Sequence, residues 1–140
     1  MSYRSRAFNF PAFNFDVFEE TFDSLNKEKA NRGFPFSDVY VNEEEGVVFF
    51  DMAVAGYEKD KIEIEIKDNQ LIVTYDSNDP QEENSNLRFI ERGIARRDFK
   101  RVWKLGPQVD VRSGKASFED GILTIKFNVE KKDVLKISID

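Results

Sequence analysis

The sequence predicts an all-β protein, an immunoglobulin-like antiparallel β-sandwich with a partly helical N-terminal arm and a short C-terminal tail. Three observations predict it. Short runs of alternating apolar and polar residues recur, separated by turn residues roughly every 8–12 positions. The stretch Ala116-Ser-Phe-Glu-Asp-Gly-Ile-Leu-Thr-Ile-Lys-Phe127 sets Asp120-Gly121 between two such runs, the pattern of a tight hairpin whose turn needs positive φ. The chain has 140 residues, enough for one domain with a real core but not for two.

Residues 1–33 form the arm. Of 14 phenylalanines, eight lie within the first 36 residues. Phe8-Asn-Phe10 and Phe13-Asn-Phe15 echo each other around Pro11, and Phe15, Phe18, Phe22 and Leu25 then recur at helical spacing. Asp16, Glu19, Glu20 and Asp23 take the opposite face. Such a helix docks on its own domain or belongs to an exposed, sticky arm. Asn, Ser and Arg between the rings, with almost no Ile or Val, fit the arm.

Residues 34–129 read as the sandwich. Val39-Tyr-Val41 is a short strand. From Gly46 to Val54, the residues Val48, Phe50, Met52 and Val54 share one face of a second. Ala55-Gly-Tyr57 is a turn. Ile62, Ile64 and Ile66 alternate with glutamates, so one face is apolar and the other solvated. Asp68-Asn69 makes a turn into the strand of Leu71, Val73 and Tyr75. Residues 76–86 form an acidic loop. It begins like a calcium loop, but Pro80 and Gln81 occupy positions that such a loop cannot give up, which rejects metal there. Leu87, Phe89 and Ile90 are apolar enough for a strand in an excursion away from the sheet. Phe99, Arg101, Trp103 and Leu105 alternate up to Gly106-Pro107. Val109 and Val111 follow, then the hairpin. Residues 130–140 are a charged link and a strand-like tail, which wants an edge to pair with.

Composition excludes several functions. There is no cysteine and no histidine, which removes disulfides, thiol chemistry, the usual general base and the usual metal ligand. Neither a catalytic constellation nor a cofactor site is found. Ser113-Gly-Lys-Ala-Ser117 lacks the glycine and hydroxyl of a phosphate loop, so no nucleotide or other small-molecule ligand is expected. The net charge of -6 argues against general nucleic-acid affinity. Residues 88–104 run against it, with seven basic and two acidic residues, and these cations are read as facing acids across a subunit interface. No apolar run is long enough to span a membrane and no signal peptide is read, so the expectation is a soluble cytoplasmic protein.

Several patterns coincide in order. Ala53-Val-Ala-Gly-Tyr57, Asp60-Lys-Ile62 and Asp68-Asn-Gln-Leu71 resemble a run of the small heat-shock proteins, the α-crystallin family. Glu91-Arg-Gly-Ile-Ala-Arg96-Arg-Asp-Phe99 is similar to a block of the bacterial class that includes the inclusion-body-binding proteins. Phe99-Lys-Arg-Val-Trp-Lys-Leu105, the A-x-x-x-x-G-x-L of the hairpin and Ile137-Ser-Ile139 fit further family motifs. Two departures stand out: Trp103 replaces a phenylalanine, and Leu105-Gly106-Pro107 stands where the family often has Leu-Pro.

The resemblance implies an α-crystallin domain and an ATP-independent holdase that acts as a dynamic homo-oligomer and is not an enzyme. It implies a dimer made by exchange of the strand carrying Leu87, Phe89 and Ile90, with Arg101 at the interface. The tail would anchor larger assemblies through Leu135, Ile137 and Ile139, with the register open between Leu135-Lys-Ile137 and Ile137-Ser-Ile139. Its acceptor would be a neighbour's groove near Ile62, Ile64, Ile66 and Phe118. Unfolding clients are expected on Phe8, Phe10, Phe13, Phe15, Phe18 and Phe22, because six large rings need no matching hydrogen bond. The alternative is a monomeric scaffold module like the CS-type co-chaperones.

Overall fold

The computed structural model describes residues 14–27, 33–77, 86–94, 97–129 and 137–140. Helix α1 spans Phe15–Leu25. The strands are β1 (Ser37–Asn42), β2 (Val47–Ala53), β3 (Ile62–Lys67), β4 (Gln70–Tyr75), β5 (Phe99–Lys104), β6 (Val109–Glu119) and β7 (Ile122–Val129). Two antiparallel sheets result, one ordered β1-β2-β7-β6 and the other β3-β4-β5.

Alternation decides which residues meet between the sheets. Val48, Phe50 and Met52 of β2 and Leu71 and Val73 of β4 are fully buried, and Leu123, Ile125 and Phe127 of β7 nearly so. Each such side chain contributes about 1.5–3 kcal/mol by leaving water. Phe50 is the centre: its ring lies 5.1 Å from Trp103 and 6.0 Å from Phe127. The turns are those read from the sequence. Asp68 and Asn69 have φ of 51° and 59°, and Asp120 and Gly121 have 53° and 78°, the left-handed region that Asx and glycine tolerate.

The structure adds three details. Val109 and Val111 belong to the first strand of the hairpin. They open β6, whose register against β7 shifts between Asp110 and Lys115. The Ser113 hydroxyl fills the gap, donating to the Asp110 carbonyl at 2.6 Å and accepting from the Asn128 amide at 2.7 Å. Tyr57 lies in its expected turn, yet its ring is core. It sits 4.6 Å from Tyr75 and 5.5 Å from Phe99, and its hydroxyl donates to the Arg97 carbonyl at 2.9 Å. The segment of Leu87, Phe89 and Ile90 forms no strand in the single chain.

Candidate functional site

A two-layer sandwich has two open sides, where the edge strands of its sheets face each other. Here one side lies between β3 and β6. The other lies along β5, where the chain crosses on its way into β1.

On the first side, β3 carries the strict Ile-Glu alternation that makes one face apolar, but that face is not covered. Ile64 is 37% and Ile66 39% exposed, and only Ile62 packs partly against the core. Across from them, Ala116, Ser117 and Phe118 of β6 complete a groove of about 190 Å³, with Leu123 as its floor and Lys59 at its rim. Of the predicted acceptor residues, the structure gathers Ile62, Ile64 and Phe118 into this groove; Ile66 lies further along β3 and does not line it. The tail residues Ile137 and Ile139 are 92% and 97% exposed. Leu135 lies outside the described residues.

The second side is filled by α1. Asn14 caps the helix, its side chain accepting the Val17 amide at 3.1 Å, and Asp16 in the first turn suits the positive end of the helix dipole. Asp16, Glu19, Glu20 and Asp23 face solvent. The opposite stripe docks. Phe18 is buried, and Phe22 packs beside it at 6.0 Å and against Phe50 at 6.1 Å. Asn26 then pins the C-terminal end. Its amide group accepts the Lys104 backbone N–H at 2.8 Å and donates to the Lys104 carbonyl at 3.0 Å. The two bonds repeat those of a neighbouring strand. The neighbouring residue Leu105 turns the other way, its amide donating to the Asn69 carbonyl at 2.9 Å. Lys104 therefore offers its backbone to the outside of the sheet.

Of the two placements open to such a helix, the single chain adopts the docked one, with Phe18 buried and Phe22 packed on the core. The helical stripe finds a complementary apolar floor within its own chain, and burial outweighs exposure. Phe15 is half-buried, while Phe8, Phe10 and Phe13 lie outside the described residues.

Arg101, expected at a subunit interface, has its partners within its own chain in the single subunit. It is 6% exposed and turned inward. Its guanidinium donates to the carbonyls of Gly33 at 2.9 Å and Pro35 at 3.4 Å and lies over the Trp103 ring at 4.5 Å. Its position on β5 alternates with Phe99 and Trp103, so the register that buries those rings also buries the cation. Burial holds its pKa below the usual arginine value. The contact fixes the chain's entry into β1. Burial likewise raises the pKa of Tyr57, with Tyr75 adding to it. Tyr40 is raised too, by burial and by its hydrogen bond to Asp51 at 2.9 Å.

Leu87, Phe89 and Ile90 are exposed at 74%, 60% and 103%. Among the described residues, no group of three or more His, Cys, Asp or Glu could hold a metal ion, and no helix is long and apolar enough to cross a membrane.

Comparison with known proteins gives this arrangement a family. The model of the Hsp20/alpha crystallin family matches residues 40–140. Small heat shock protein IbpA of Escherichia coli O1:K1 / APEC is 32% identical over 110 residues, covering 77% of this chain and 76% of the relative. Among solved structures, a small heat shock protein from Synechococcus phage S-ShM2 superposes with a TM-score of 0.56 at 30% identity, over 67% of this chain and 93% of that one. Heat shock protein 16.0 from Schizosaccharomyces pombe shares the fold, with a TM-score of 0.62 at 19% identity over 86% of this chain and 95% of that one. With two-sheet architecture, hairpin and motifs in agreement, this chain belongs to the Hsp20/alpha crystallin family of small heat shock proteins.

Proposed function

We propose that this chain is a holdase, a refinement of the ATP-independent chaperone role that its family implies. It binds unfolding proteins and keeps them from aggregating, within a dynamic homo-oligomer built from strand-exchanged dimers. Residues 1–33 act as the arm, 34–129 as the α-crystallin domain and 130–140 as the anchoring tail.

The observation that carries this reading is a mismatch within the single chain. The β3/β6 groove is open, while Ile137 and Ile139 are nearly fully exposed. Leu87, Phe89 and Ile90 are likewise exposed, in a segment that forms no strand. A second copy satisfies both. Side chains at i and i+2 of an extended tail share a face, which suits a groove lined by Ile62, Ile64 and Phe118. Each isoleucine gains about 1.5–3 kcal/mol on full burial, and ordering the backbone costs about 1–2 kcal/mol per residue. One tail therefore binds weakly, and many tails hold through effective concentration. Subunits that exchange follow from that balance. Clients meet the arm at Phe8, Phe10, Phe13 and Phe15, and at Phe18 and Phe22 when α1 leaves its seat.

The test is to measure native mass and suppression of thermal aggregation without ATP on one sample, then on a chain lacking residues 87–92. Large oligomers that suppress aggregation, and a smaller or insoluble deletion variant, are expected. A native monomer, or a deletion variant that keeps its native dimer, would overturn the reading.

A further inference from the structure

The seat of α1 is more than a resting place for the arm. We propose that the cleft along β5 is a polypeptide-binding site, with α1 as its built-in occupant, and that its external ligand is an extended apolar segment of an unfolding protein. The proposal deepens the holdase reading and rests on it for the identity of the ligand.

Three contacts define what the cleft accepts. The first is backbone-like. Asn26 is 8% exposed and meets both the N–H and the carbonyl of Lys104 with one planar amide. A carboxamide is a single peptide unit without a chain, so this edge is made to bond a passing strand. The second is apolar. Phe22 lies over Phe50, which lies over Trp103, and Phe18 is buried beside it. The same floor suits alternate apolar side chains of an added strand, one peptide unit of which would take the place of Asn26. The third is spatial. Gly106 lies directly under the helix: a Cβ there would touch Thr21 Cγ2 at 3.4 Å and Leu25 Cδ1 at 3.9 Å. The residue that sets this chain apart at Leu105-Gly106-Pro107 is the one against which the helix rests. Part of the occupant stays outside the cleft, with Val17 and Leu25 still 48% and 37% exposed. The occupant can therefore be displaced without unfolding the sandwich beneath it.

The absence of cysteine makes the cleft testable by a lock. In Thr21→Cys with Gly106→Cys, the new Cβ at position 106 approaches the place that the introduced sulfur at position 21 takes, close to disulfide geometry. The probe is a fluorescein-labelled short peptide of alternating valine and serine, with a backbone N-methylated version as control. Oxidised double variant is expected to bind the probe at least about tenfold more weakly than the reduced form. Asn26→Ala in the otherwise native chain is expected to bind it more tightly, and the N-methylated peptide to bind neither form. Equal affinity in the oxidised and reduced forms, or no gain in Asn26→Ala, would overturn the proposal. So would a disulfide that joins two chains, since the helix would then seat on a second copy. Aggregation suppression by the unmodified chain, measured alongside, separates the two readings. Suppression without a redox effect on the probe removes the cleft and leaves the holdase. A redox effect without suppression leaves the cleft and removes the holdase.

Discussion

The two open sides of the sandwich solve one problem in opposite ways. Both expose apolar residues that the two sheets alone do not cover. Along β5 the chain closes the gap itself, laying Phe22 on Phe50 with Phe18 beside Phe22 and pinning Asn26 to Lys104. Between β3 and β6 it leaves a groove open and holds a matching tail exposed. What differs is the cover: a helix that precedes β1 folds back onto β5, whereas the groove has no cover within the described residues and is the proposed seat of another copy's tail. Closure within the chain stabilises the single subunit, and the side left open is where assembly is proposed.

The comparison breaks first at the filled side. Phe50→Ala should cost about 3–5 kcal/mol, since it removes the ring on which the core and α1 both rest. Ile64→Ala on the open side should cost about 1 kcal/mol or less, because the residue is 37% exposed. Denaturant unfolding of both in the Ile137→Ala, Ile139→Ala background, at one fixed protein concentration so that the remaining dimer affects both variants alike, checks the contrast. Similar costs would mean that the two sides are equivalent.

The next effect isolates the pin. Asn26→Ala leaves the Lys104 N–H and carbonyl without their partner and should cost about 1–3 kcal/mol. Hydrogen exchange at the Lys104 amide should speed up while that at Phe50 does not. Unchanged exchange at Lys104 would remove Asn26 from the account.

Much of this fold was legible because its determinants are local. Leu71, Val73 and Tyr75 alternate within one strand, and Asp120-Gly121 carries its own turn conformation. The stripe of Phe15, Phe18 and Phe22 predicted a helix, but not its seat. The Asn26–Lys104 pair spans 78 positions, and no periodicity in either segment announces it. Arg101 illustrates the same limit. Its alternation with Phe99 and Trp103 pointed inward, yet a cation usually faces water. Its partners are backbone carbonyls 68 and 66 positions away, which a search for acidic partners passes over. For Tyr57 a signal was present, an aromatic ring in a turn, which is seldom left wet. The groove was located by family resemblance, and its openness by the structure alone.

A smaller effect concerns pH. Tyr57 has its pKa raised above 10.0 by burial first and Tyr75 second, so folding favours the neutral phenol. That contribution is fully present below about pH 10 and is lost as pH rises through the raised folded value. Tyr57→Phe also loses the bond to Arg97, costing about 1 kcal/mol at neutral pH. Its stability should fall less steeply than that of the parent between about pH 10 and 12. An identical alkaline slope would show that Tyr57 does not report on this end of the core.

The smallest effect on stability should bring the largest on assembly. Ile137→Ala with Ile139→Ala should leave the unfolding of the domain within about 0.5 kcal/mol, because both side chains are exposed in the single chain. Native mass should nonetheless fall toward dimers. A large loss of domain stability at constant native mass would place the tail on its own chain.

The most direct test of the contrast between the sides is one non-reducing gel of two oxidised cysteine pairs in this cysteine-free chain. Thr21→Cys with Gly106→Cys should close within a chain and run as a monomer. Ser117→Cys with Ile137→Cys, a position common to both tail registers, should join different chains and run as a ladder. A ladder from the first pair, or a closed monomer from the second, would contradict the account.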